Sequence, residues 1–218
     1  MTDEQLTTGR LALSVVENGI IAYATHPVAR AVVSVIPLGT FFDALAGTAG
    51  SNLVLDRLNV LVDELRQAIE RVPAEKHDPA VTEQQLIDSA IRALRGSMET
   101  GNQEKVRTIA AALVGSTSLD RPRDLDVETV LEMLASLTPA ELDYAAMLAK
   151  RTGGGAFGNN QVADPDGHFF VSRLMGHGLL ETAPTSWTDW DNDITNYQLT
   201  PTFLRILDLL RAGGMVAG

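Results

Sequence analysis

The sequence predicts a mainly α-helical protein, with an N-terminal helical bundle over residues 1–136 followed by a C-terminal part, 137–218, in which helices are joined by a small β-hairpin. Three observations carry this. Apolar residues recur at spacings of three and four through the first part, which is the helical period. Helix-capping patterns stand before two of those runs, and a strong strand signal arises only near Leu179. At 218 residues, 45% hydrophobic and 21% charged, the chain can bury one sizeable core or two small ones.

From the N-terminus, residues 18–55 form an apolar region whose only formal charges are Arg30 and Asp43. Pro27, Pro37 and Gly39 divide it into pieces shorter than the roughly 18 to 20 apolar residues of a membrane-spanning helix. The expectation is therefore a buried apolar hairpin. Val28, Val32, Val35 and Ile36 share one helical side, and Phe41, Phe42 and Leu45 follow. Between 53 and 72, Val54, Leu58, Leu61, Leu65, Ala68 and Val72 recur at alternating spacings of four and three. This predicts a long helix with a heptad seam, ended by Pro73.

Thr82-Glu83-Gln84-Gln85 reads as a capping box ahead of a helix that runs to Gly96. Further helices follow from Asn102 to Gly115 and from about Asp126 to Ser136. Leu137-Thr138-Pro139-Ala140-Glu141 then opens a new helix, with Thr138 as cap, Pro139 in the first helical position and Glu141 closing the box. A boundary is placed there. Beyond it come helix 138–150, the connection RTGGGAFGNNQ, helix 164–176, a polar loop, the strand Ile194-Thr-Asn-Tyr-Gln-Leu199, and a last helix opened by Thr200-Pro201.

That order of parts resembles the winged-helix fold, in particular the bacterial MarR-like and PadR-like regulators. Gly178-Leu179-Leu180-Glu181 stands where such folds end a helix in Gly-Leu-Leu or Gly-Leu-Ile. Tyr197-Gln198-Leu199-Thr200-Pro201 stands where the wing returns into the final helix. The helices from Glu83 to Leu134 are similar to those of bacterial proteins that pair a helical bundle with a C-terminal winged helix. The resemblance implies DNA binding through the second helix of the C-terminal part, for which Ser172 and Arg173 are the candidates.

Charge opposes that use. The chain holds 17 basic and 28 acidic residues, a net charge of −11, which repels phosphate unless the cations cluster. Over 137–218, five basic residues face nine acidic ones, and the loop and strand from Glu181 to Leu199 contain Asp189, Asp191 and Asp193 but no Lys or Arg. The expected role is consequently a non-enzymatic interaction or regulatory module that contacts protein and self-associates. Leu58, Leu61 and Leu65 are its candidate packing residues, and Trp187 and Trp190 its candidate contacts. A DNA-binding regulator is the first alternative. The second is a membrane-active effector working through Val32, Val35, Ile36, Phe41 and Phe42.

Other chemistries find little support. The absence of cysteine excludes disulfides, thiolate metal sites and a cysteine nucleophile. Gly153 to Gly158 matches a dinucleotide-binding glycine spacing, but it follows a helix rather than a strand. The acidic run Asp189 to Asp193 lacks the glycine and glutamate of a calcium loop. The four histidines form no helical pair at metal-binding spacing. No catalytic residue, cofactor, metal or small-molecule substrate is indicated. The N-terminus lacks the pattern of a secretion signal, so a cytoplasmic location is expected, peripheral to the membrane in the effector alternative.

Overall fold

The structure, a computed structural model, describes Val28 and residues 51–100, 102–153, 155–159, 162, 165–183 and 195–215; within these, the side chains at 51–56, 58, 74, 83, 84, 87, 98, 99 and 165 are not described. The predicted hairpin therefore lies outside the described residues except for Val28 and its last five positions. The described chain is mainly helical with one small antiparallel sheet, and it divides into two compact units.

The first unit contains α1 (Ser51–Arg71), α2 (Glu83–Glu99), α3 (Gln103–Gly115) and α4 (Val127–Ser136), together with the chain end from Leu209. Helix α3 is central and packs against the other three. Every residue from Thr108 to Gly115 is buried, as expected of a helix apolar all round. Its N-terminus is capped by Asn102, whose side chain accepts from the Lys105 amide. Leu61 and Leu65 of α1 and Leu94 of α2 are among the largest fully buried side chains.

Glycine decides two close approaches. Helix α2 continues three residues past Gly96, the end expected from the sequence, and a Cβ at Gly96 would come to 3.0 Å from the Cβ of Ala135. The position thus serves contact with α4 rather than termination. At the far end of α3, a Cβ on Gly115 would overlap the carbonyl oxygen of Leu209, and one on Gly213 would overlap that of Ala111. Backbone meets backbone, and no side chain fits between.

The second unit, Leu137–Asp208 in its described part, contains α5 (Pro139–Thr152), β1 (Phe157–Gly158), α6 (Pro165–Gly176), β2 (Leu180–Thr182), β3 (Asn196–Leu199) and most of α7 (Pro201–Ala212). The sheet order is β1-β3-β2, antiparallel throughout, with Tyr197 opposite Phe157 on one side and Thr182 on the other. The glycine-rich connection is partly structured. Gly153 caps α5 in the left-handed conformation, with φ of 58°, and Phe157–Gly158 forms an edge strand where the sequence predicts only a connection.

Helix α6 ends at Gly176, and Gly178, two residues on, has a φ of 68° that suits the turn in which Leu179 N donates to Leu174 O at 2.9 Å. Thr200 ties this turn to the last helix. Its Oγ1 donates to Gly178 O at 2.9 Å and accepts from Phe203 N at 3.3 Å. Leu174, Leu179, Leu180, Leu199 and Phe203 are all buried.

Candidate functional site

Helix α6 presents two unlike sides. Val171 and Leu174 are buried, whereas His168, Phe169, Ser172, Arg173, Met175 and Gly176 are exposed. At about 100° per residue, His168, Phe169, Ser172, Met175 and Gly176 fall within one outward sector centred on Ser172. Phe169 is 61% exposed there and Met175 37%. The sector contains no Asp, Glu, Lys or Arg. The two charged residues of the helix, Asp166 and Arg173, stand together beyond one edge of it.

Arg173 is committed elsewhere. Its Nε donates to Oε1 of Glu141 at 2.7 Å, with the arginine side chain 46% exposed and the carboxylate 2% exposed. The other oxygen, Oε2, accepts from the Thr138 amide at 2.6 Å, while Thr138 Oγ1 accepts from the Glu141 amide. Burial pushes the Glu141 carboxyl up, but the Thr138 amide and then Arg173 outweigh it, and its pKa lies below the ordinary value. Glu141 thus closes a capping box and fastens α6 to the start of α5. Tyr144 and Phe170 stack beside this pair with ring centroids 5.1 Å apart.

A second polar assembly lies in the first unit. His77 and Ser118 form an antiparallel bridge, flanked by Asp78 N to Thr117 O and Leu119 N to Lys76 O, both 2.7 Å. Ion pairs Lys76–Asp120 and Arg121–Asp78, each 2.9 Å, fasten it. Asp78 is held below the ordinary carboxylate value by the Ala80 amide, against the effect of burial, with help from Arg121 and Arg123. Thr117 Oγ1 gives its hydrogen to Val114 O at 2.7 Å, so His77 Nδ1 donates to that hydroxyl at 3.0 Å. Burial lowers the His77 pKa, partly offset by a hydrogen bond with the Thr117 backbone. With backbone hydrogen bonds and ion pairs joining two loops, this cluster works as a clasp.

Of the residues singled out from sequence, Leu61, Leu65, Ser172 and Arg173 have described side chains. Leu61 and Leu65 are 0% and 2% exposed inside the first unit, so their packing is internal and they offer no surface to a partner. The side chain of Leu58 lies outside the described residues. So do Trp187, Trp190, Val32, Val35, Ile36, Phe41 and Phe42. Ser172 and Arg173 do lie on the surface of α6, but Arg173 is paired. Sequence reasoning missed Phe169 as a surface residue. Its signal was the doublet Phe169-Phe170, because neighbours 100° apart on a helix cannot both face one narrow core.

No family model, curated protein or solved structure matches the chain. No described helix is long and apolar enough to cross a membrane.

Proposed function

We propose that the protein is a non-enzymatic interaction or regulatory module, a helical bundle joined to a winged helix, and that the winged helix contacts protein rather than DNA. The order helix α5, strand β1, helix α6, hairpin β2–β3 and helix α7 supports the winged-helix assignment. The surface of α6 carries the functional one. A helix that enters a major groove needs free polar or basic side chains for base edges and cations for phosphates. Helix α6 instead exposes Phe169 and Met175, and its one arginine is paired with a buried carboxylate. Exposed aromatic and thioether side chains on an uncharged sector fit the anatomy of protein interfaces.

The test is a titration of mixed-sequence DNA duplexes by fluorescence anisotropy at low salt, with wild type and Arg173→Ala. Neither protein is expected to bind in a salt-dependent manner. Binding that weakens steeply with salt and falls in Arg173→Ala would overturn the proposal in favour of a DNA-binding regulator.

A further inference from the structure

We infer that the partner of the α6 surface is a second copy of this chain, related by a two-fold axis passing close to Ser172. The inference rests on the protein-contact reading above and adds the identity of the partner. Two-fold association places a surface patch against itself, so every charge near the axis meets its own like. For a chain of net charge −11, most surfaces are unsuited to this. The exposed residues of α5 include Asp143, Lys150 and Arg151, and those of α7 include Arg205 and Asp208. The α6 sector has no Asp, Glu, Lys or Arg; its only ionisable side chain is His168.

Shape agrees with charge. Phe169, edge-on to Phe170 with ring centroids 5.8 Å apart, is still 61% exposed, while Ser172 and Gly176, three and seven residues on, leave the helix surface low. A ring from one copy can therefore lie over Ser172 and Gly176 of the other, against its Met175, a contact aromatic rings and thioethers favour. A patch on one 12-residue helix is smaller than the roughly 800 Å² per partner of a standard interface. The association is accordingly weak and transient. Such a contact would respond to local concentration.

The experiment is sedimentation velocity of the full chain over a wide concentration range. Wild type is expected to shift from one chain of 23.4 kDa toward twice that mass. Phe169→Asp is expected to raise the Kd by about tenfold or more. Because that change alone could be ascribed to altered folding, Ser172→Lys and Ser172→Glu provide an internal control. Each alone should stay monomeric, and an equimolar mixture should recover the dimer. A wild type that remains monomeric throughout, or a dimer that all three variants leave intact, overturns this inference. Either result leaves the protein-contact reading standing, whereas salt-sensitive duplex binding removes that reading itself.

Discussion

Glu141 shows how one side chain can hold two elements. It closes the cap of α5 and receives Arg173 from α6, so removing its charge weakens both. Glu141→Gln is expected to lower stability by about 2 kcal/mol, a capping loss plus part of a charged hydrogen bond, reduced because the arginine is half in solvent. Chemical denaturation measures it. Acid acts on this group and on the His77–Asp78 cluster in two stages. His77 has a native pKa below its ordinary value of 6.5, so the unfolded chain takes up the proton first. Its contribution is complete above pH 6.5 and is lost as pH falls from there toward the native value. Glu141 and Asp78 have native pKa values below 4.5 and 3.8 respectively. Their contributions are complete above those values and are lost as pH falls through the native ones. Denaturation midpoints from pH 8 to 3 should therefore decline in two stages, and His77→Gln should flatten the first.

Among the elements, α3 sets the arrangement of the first unit. Ala110, Ala111 and Ala112 are each 0% exposed, which lets neighbouring backbones come near. Gly115→Ala introduces a methyl against the Leu209 carbonyl and should destabilise by about 1–3 kcal/mol or more. Gly153→Ala meets no atom within 4 Å and carries only the strain of its positive φ, so it should cost about 1 kcal/mol. Thermal unfolding of the two variants separates close packing from backbone conformation. Much at this scale was legible in the sequence. Thr82 and Thr138 announced their capping boxes, and Leu61, Leu65, Leu94 and Leu113 fell on the buried sides of their helices. Strand β1 was not legible, because two residues are too few for an alternation and its pairing with β3 depends on residues nearly forty positions away. The end of α2 was misplaced because Gly96 reads as a stop but serves as a contact.

For the whole molecule, the chain end is the least expected component. Leu209 to Gly214 contributes to the first unit, where Leu209 is buried and Gly213 lies against Ala111. Deleting residues from 209 onward should expose the C-terminal half of α3, seen as faster amide exchange over 109–115 in the truncated chain. Sequence periodicity does not show this, since it reports which side of a helix is apolar and not which residues far along the chain that side meets. The candidate surface was only half visible for a similar reason. Net and local charge in the sequence already oppose DNA binding, but the Arg173–Glu141 pair spans 32 positions, and only the fold shows that the arginine is occupied. The first measurement to make is photo-crosslinking in cells from a benzoylphenylalanine placed at Phe169. A protein adduct, with none to nucleic acid, is the expected result. Adducts to DNA, or no adduct to any protein while the protein is folded and abundant, would contradict the assignment of α6 as a protein-contact surface.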